Sequence, residues 1–107
     1  MSEVLAKLEK KGGGATQNLL NTTFTYRVAF APTSRSPIIC ENYNTLRVNM
    51  AWGAGYQVKV YAEDNNTVIS THAGNQPFDE DVSNYNAVFV GGVTNSAQGD
   101  ITFAFTS

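Results

Sequence analysis

This chain is rich in neutral polar side chains, and two aromatic residues flank one of its turns. The 107 residues include 11 Asn and 11 Thr, and Trp52 and Tyr56 lie on either side of a glycine-rich stretch. Sugars need donors and acceptors for their hydroxyl groups and aromatic rings for their C–H faces, so this composition predicts carbohydrate binding. The candidate ligand-binding residues are Trp52, Tyr56, Asn42, Tyr43, Asn44, Asn84 and Asn86. In the alternative interpretation, the Trp52 ring closes one end of the core and the Asn residues only form turns.

Consecutive acidic residues make a second candidate site. Asp79, Glu80 and Asp81 are adjacent in the sequence, and Asp100 is expected to approach them in space. Calcium prefers six to eight hard oxygen ligands of this kind, so these four residues are candidate metal ligands for Ca²⁺. Their spacing differs from that of an EF-hand loop, and a simply solvated acidic loop is the alternative. No other cofactor is expected.

Catalytic groups are scarce in this sequence. It contains one His and one Cys, whereas nucleophilic catalysis needs a nucleophile and a base placed against each other. His72 is expected to lie exposed at a strand end, and Cys40 is expected to pack as a small apolar group. A zinc site would need several closely spaced His or Cys ligands. The sequence therefore predicts a protein that is not an enzyme.

The charge balance argues against nucleic acid and anionic membranes as partners. Seven Lys and Arg against nine Asp and Glu give a formal net charge of −2, which provides no basic field to attract phosphates. No apolar run approaches the length of about 20 residues that spans a bilayer. No secretory signal is recognisable, so we expect a cytoplasmic protein or one released without a classical leader.

Alternating apolar and polar residues predict the strands that must position these groups. From Phe24 onward the hydrophobic period is two, as in a half-buried strand. Strands are expected at 24–31, 37–40, 46–50, 56–62, 68–72, 88–90 and 101–106. The predicted core residues are Phe24, Tyr26, Val28, Phe30, Leu46, Val48, Met50, Tyr56, Val58, Val60, Val88, Val90, Ile101, Phe103 and Phe105.

Short strands joined by polar turns, without helical crossovers, predict an all-β fold. A parallel sheet would need connections of a dozen or more residues, usually helical, and none is visible. We therefore predict a single antiparallel β-sandwich of six or seven strands over residues 15–107, with Greek-key or jelly-roll-like topology.

A different pattern occupies the N-terminal 14 residues. Met1, Val4, Leu5 and Leu8 share one face of a predicted amphipathic helix over 2–11, and three glycines follow it at 12–14. A helix of ten residues is marginal alone in water, so its apolar face must dock on something. Residues 1–14 are predicted to be an interaction arm with a glycine linker. A frayed terminus or an expression tag is the alternative.

Two functional hypotheses follow for this non-catalytic module. In the first, it is a lectin-like protein that binds a glycan and acts as a homo-oligomer, because several weak sites on one assembly combine into useful avidity. In the second, it is a self-assembling structural or decoration protein whose residues 1–11 contact neighbouring subunits.

Overall fold

The computed structural model describes residues 19–53, 55–94 and 97–106, and strands dominate them. The strands are β1 (Phe24–Val28), β2 (Ile38–Ile39), β3 (Thr45–Asn49), β4 (Gln57–Tyr61), β5 (Val68–Ala73), β6 (Phe78–Asp81), β7 (Ala87–Gly92) and β8 (Gly99–Thr106). A short 3-10 helix at Pro32–Ser34 is the single helical element in these ranges. The described part of the chain contains no helix with the length and apolar character needed to cross a membrane. The predicted helix over 2–11 lies outside the described residues.

The eight strands form two four-stranded antiparallel sheets. The first sheet has the order β1-β8-β3-β6 and the second has the order β2-β7-β4-β5. Strands that follow each other along the chain lie in different sheets, except β4 and β5, which form a hairpin in the second sheet. The antiparallel all-β class predicted from the sequence is therefore confirmed.

Both sheets contribute to one hydrophobic core, as their period-two patterns require. In β3, Leu46 and Val48 are fully buried while Arg47 is exposed. In β4, Val58 and Val60 are fully buried and belong to the same cluster of contacting side chains as the β3 residues. Because alternate side chains point to opposite faces of a strand, one set fills the core and the other faces outward.

The number of strands differs from the prediction because β6 resembles a loop in the sequence. Its residues, Phe78-Asp79-Glu80-Asp81, include three acids, and acidic runs are typical of solvated turns. Its pairing with β3 nevertheless gives a strand in which Glu80 points inward and the two aspartates point outward.

Two predicted core residues are exposed. Phe30 is 40% exposed because β1 ends at Val28 and the chain then leaves the sheet. Tyr56 is 37% exposed because it precedes β4 and still belongs to the loop. Both residues continue the alternating pattern of the neighbouring strand but lie outside it, and there the pattern does not predict burial. Conversely, Ile38, Cys40, Tyr43 and Val82 were not in the predicted core list but are buried. The expected apolar packing of Cys40 is confirmed.

Residues 29–37, the crossing segment, connect β1 of the first sheet to β2 of the second. The Arg35 guanidinium donates to the carbonyl oxygens of Ala29 and Phe30, at 3.2 and 2.8 Å. It also lies 4.1 Å above the centre of the Tyr61 ring, within the range of a cation–π interaction. Tyr61 faces away from the core, so the crossing segment is fastened to the outer face of the second sheet.

Candidate functional site

A cleft of about 370 Å³ lies on the outer face of the first sheet, beside Trp52. We call it the Trp52 cleft; it is lined by Thr25, Asn49, Met50, Ala51, Trp52, Asp100, Ile101 and Thr102. Most of the lining comes from β1, β3 and β8, which are neighbours in this sheet. The cleft therefore has a floor of paired strands and one aromatic wall.

Backbone hydrogen bonds hold the loop that carries the aromatic wall. The amides of Trp52 and Gly53 both donate to the Gly74 carbonyl oxygen, at 2.8 and 3.2 Å, and the Gly74 amide donates to the Tyr56 carbonyl at 2.7 Å. A Cβ atom at Gly74 would lie 3.0 Å from atoms of Tyr56, so a side chain there would crowd the Tyr56 backbone. The loop between β3 and β4 is thus anchored to the loop between β5 and β6.

The Trp52 ring is fixed along its edge. Its Nε1 donates to the Asp100 carbonyl oxygen at 3.3 Å, and the Tyr56 ring meets it edge-on, with 6.3 Å between centroids and an interplanar angle of 90°. Trp52 is half-buried and also packs against the core, so the alternative interpretation of this residue is correct in part. The same side chain closes one end of the core and lines the cleft.

Most of the exposed lining of the Trp52 cleft is apolar, and three strand positions of its floor carry uncharged hydroxyl or amide side chains. Thr102 of β8 pairs with Thr25 of β1 on one side and with Asn49 of β3 on the other. Asp100 contributes the single charged side chain among the described lining residues, and its Oδ1 lies 3.3 Å from Nη1 of Arg27. Both partners of that ion pair are largely exposed, so solvent screens it.

The other predicted ligand-binding residues lie at the opposite end of the sheet. Asn44 precedes β3 and Trp52 follows it, and a five-residue strand is about 16 Å long at roughly 3.3 Å per residue. The Asn44 carbonyl accepts the Val82 amide at 2.8 Å, which joins the β2–β3 and β6–β7 loops at that end. The seven predicted residues therefore divide into two groups and do not form one site.

Tyr43 is a core residue. Its ring stacks on Phe105, with 4.2 Å between centroids and an angle of 11°, and its hydroxyl accepts the Leu19 amide at 3.0 Å. Only 5% of Tyr43 is exposed, which leaves no ring face for a ligand. Asn42 is half-buried in the same loop.

Asn84 lines a second cleft at this end, also of about 370 Å³, whereas Asn86 fastens loops together. The lining of the second cleft is Ala62, Glu63, Asp64, Thr67, Asn84 and Tyr85. The Asn86 carbonyl accepts the Cys40 amide at 2.8 Å, and the Asn86 amide donates to Oε2 of Glu63. The backbone of Asn86 thus serves the loop architecture.

The predicted metal ligands point in different directions. Asp79 accepts two hydrogen bonds from the Arg47 guanidinium, at 2.8 and 3.0 Å, on the outer face of the first sheet. Glu80 points inward, and Asp81 accepts the Ser83 amide and hydroxyl in a turn. Asp100 pairs with Arg27. Within the described ranges, no group of three or more His, Cys, Asp and Glu side chains could hold a metal ion.

Alternation along β6 explains this separation. Successive side chains of a strand project to opposite faces, so three adjacent acids cannot converge on one ion.

The guanidinium of Arg47 lowers the pKa of Asp79 below its ordinary value, mainly through their hydrogen bonds. Hydrogen bonds from the Thr67 hydroxyl and from the Thr67 and Asn66 amides lower the pKa of Asp64 in the same direction.

His72 is not an exposed imidazole at a strand end, as the sequence had suggested. Its ring stacks on Phe78 with 3.6 Å between centroids, and its Nε2 lies 3.0 Å from Oε1 of Glu80. The Ser70 hydroxyl donates to the same carboxylate oxygen. Glu80 is only 7% exposed, and this polar cluster fills the gap between the edge strands β5 and β6 of the two sheets.

Serine, histidine and glutamate are together here, but not in the geometry of a catalytic triad. In a triad the hydroxyl bonds one ring nitrogen and the carboxylate holds the other. Here the Ser70 hydroxyl, 2.9 Å away, and the Glu80 carboxylate both contact Nε2 of His72. The period-two spacing of Ser70 and His72 is a sequence signal for this cluster, but their partner Glu80 lies in β6, whose acidic sequence resembles a loop.

Comparisons with known proteins add no functional information. No family model, no curated protein and no solved structure matches this chain.

Proposed function

We propose that this protein is a non-catalytic module that binds carbohydrate in the Trp52 cleft. The observation that carries the proposal is the combination of an aromatic wall, Trp52 braced by Tyr56, with a floor of hydroxyl and amide groups. Aromatic faces stack on the C–H surfaces of sugars, while Thr and Asn side chains both donate and accept hydrogen bonds. A carbohydrate ligand would use both kinds of group, the ring for its C–H face and the polar side chains for its hydroxyls.

The scaffold proposed here is a β-sandwich of the jelly-roll type. Eight strands in two sheets, with the orders β1-β8-β3-β6 and β2-β7-β4-β5 and a shared core, support this assignment. Jelly rolls occur in lectin domains and in viral capsids, so the topology is compatible with both functional hypotheses. Function must be argued from the site, because one fold hosts many activities.

Multivalency is part of the proposal. The Trp52 cleft is open to solvent, so a single site offers a sugar few enclosing contacts and should bind weakly. Joining several copies raises the effective concentration of the remaining sites after the first has bound. Residues 1–11 are the proposed contact between subunits.

A glycan panel with matched variants tests the proposal. Trp52→Ala should weaken binding by about tenfold or more, because it removes the stacking surface, while Trp52→Phe should retain part of the affinity. Phe30→Ala, an exposed aromatic residue outside the cleft, is the control and should bind normally. Circular dichroism should show that each variant is folded. A wild-type protein that binds nothing on a broad panel, or a folded Trp52→Ala protein that binds normally, would contradict the proposal.

Self-assembly as a structural or decoration protein is the second candidate. It is favoured by apolar side chains left exposed on edge strands, chiefly Ile39 of β2, which is 57% exposed, and Val68 of β5, which is 44% exposed. An edge strand with an apolar surface is suited to pairing with another subunit.

Sedimentation measures the assembly directly. In the Leu5→Glu/Leu8→Glu double variant the sedimenting assembly should have a lower mass than in the wild type, because the two charges lie on the apolar face predicted for residues 1–11. Lys7→Glu, off that face, is the control and should leave the mass unchanged. A wild-type protein that sediments as a monomer at high concentration would remove the assembly hypothesis and the multivalent part of the lectin hypothesis.

A further inference from the structure

Three polar side chains cross the floor of the Trp52 cleft in a straight row. Thr102 lies in the middle, with its register partners Thr25 and Asn49 on the two neighbouring strands. All three line the cleft and come from the outward-facing positions of their strands. We call these three residues the polar row.

We infer that the polar row makes the Trp52 cleft selective for a neutral disaccharide unit that lies across the strands, an inference that rests on the proposed carbohydrate binding. Adjacent strands are about 4.8 Å apart, so a row across three strands spans about 9.6 Å. That span corresponds to two linked sugar rings and exceeds one. A monosaccharide stacked on Trp52 would leave part of the row without a partner.

The charge of the cleft selects against acidic sugars. Asp100 is the charged member of the lining, and Arg27 neutralises it only across an exposed contact of 3.3 Å. Asp100 lines the cleft and Arg27 does not, so a ligand carboxylate bound on the cleft side of Asp100 would be repelled by it, whereas a neutral sugar would not. The Trp52 indole is held by the backbone carbonyl of residue 100, so a change of that side chain leaves the aromatic wall in place.

Thr102 is the residue whose replacement tests the row most cleanly. Thr102→Val keeps a β-branched side chain of nearly the same shape on β8 and removes the hydroxyl at the middle of the row. Thr106→Val is the matched control, since it is the same substitution on the same face of β8, outside the cleft lining. Calorimetric titration should show a threefold to tenfold loss of disaccharide affinity for Thr102→Val and no loss for Thr106→Val.

The probes are the best-binding neutral disaccharide of the panel, its monosaccharide, and a disaccharide in which a uronic acid replaces one sugar. The wild-type protein should bind the neutral disaccharide more tightly than the other two probes. Asp100→Asn should reduce the difference in affinity between the neutral and the acidic disaccharide. Suppose that Trp52→Ala abolishes binding, that Thr102→Val binds the disaccharide as tightly as the wild type does, and that the wild type binds the monosaccharide as tightly as the disaccharide. The polar row is then not the selective element, while carbohydrate binding stands. If the wild-type protein binds no sugar, both proposals are overturned.

Discussion

The outer faces of the two sheets differ in what covers them. The second sheet is crossed by residues 29–37, which Arg35 fastens over Tyr61 and Gly91. The first sheet has no such cover among the described residues, and its outer face carries the Trp52 cleft. On the covered face the crossing segment makes hydrogen bonds and a cation–π contact, whereas on the other face Thr25, Asn49 and Thr102 line an open cleft. The connection from β1 to β2 therefore decides which of the two outer faces is covered.

The largest expected effect comes from forcing Arg35 off the covered face. At Gly91 even a Cβ atom would overlap the Arg35 guanidinium, so Gly91→Val should displace this flexible side chain. The loss of its hydrogen bonds and of the cation–π contact should cost about 2 kcal/mol of unfolding free energy. Denaturant titration measures the loss, and faster tryptic cleavage at Arg35 would report the loosened segment. Gly55→Val is the control, since a Cβ there meets no atom within 4 Å. Equal stability of the two variants would show that the cover does not depend on Arg35.

Removing the Arg35 guanidinium, without adding a side chain at Gly91, should reduce the free energy of unfolding by a smaller amount. Arg35→Met loses hydrogen bonds to two carbonyl oxygens, to Asn65 Oδ1 at 3.2 Å and the cation–π contact with Tyr61, while keeping an apolar stem. We expect a loss of about 1–2 kcal/mol in thermal or denaturant unfolding. Arg35→Lys should recover only part of it, because an ammonium group cannot reproduce the planar fork. Full recovery by lysine would mean that charge alone fastens the segment.

A third prediction concerns the hydroxyl that joins the two sheets. Tyr26 of β1 donates to the Ser36 carbonyl oxygen in the crossing segment at 2.7 Å, and it accepts the Val90 amide of the second sheet at 3.2 Å. Tyr26→Phe should cost about 1 kcal/mol at neutral pH, because the Val90 amide loses its partner. An unchanged unfolding free energy would show that water replaces the hydroxyl.

The same tyrosine should make the free energy of unfolding fall at alkaline pH. Burial raises the pKa of Tyr26 above its ordinary value of 10.0. Since the folded state holds this proton more tightly than the unfolded chain, the associated stability is complete below about pH 10 and is lost as the pH rises through the folded pKa. Unfolding curves between pH 9 and pH 12 should therefore fall more steeply for the wild type than for Tyr26→Phe, and parallel curves would contradict this assignment.

The smallest effect is expected on the open face. Arg47 and Asp79 form an exposed bidentate pair, and such pairs contribute little because solvent and salt screen them. Arg47→Ala should therefore unfold close to the wild type at physiological salt and leave glycan binding intact. Because the folded pKa of Asp79 is lowered, any difference should be present above its ordinary value of 3.8 and be lost as the pH falls through the lowered folded pKa. A difference that persists in acid would point to packing of the Arg47 stem.

The local sequence pattern was sufficient to assign core residues where apolar and polar residues alternate within a strand. Leu46 with Val48, and Val58 with Val60, were correctly assigned to the core because each pair lies inside a strand with one buried face. The same rule failed at Phe30, which follows the end of β1. Strand ends depend on where a partner strand stops, and a partner distant in sequence leaves no mark on the local pattern.

The candidate site was half predictable for a related reason. Trp52 and Tyr56 are close in sequence, so their contact follows from one loop. The floor beneath them comes from Thr25, Asn49 and Thr102, which are separated by more than 20 residues and become neighbours only through strand register. Composition identified the kind of side chain, but pairing selected the particular residues.

The sequence by itself determined the extended character of the chain, the identity of most inward-facing side chains and the scarcity of catalytic groups, because these depend on local periodicity and on residue counts. Only the tertiary structure decided that Glu80 turns inward to Ser70 and His72 and that the predicted Asn residues lie at the opposite end of the fold from Trp52 and Tyr56. Those outcomes depend on which strands become neighbours. That choice is made by burial and hydrogen bonding summed over the whole chain, and no short segment contains it.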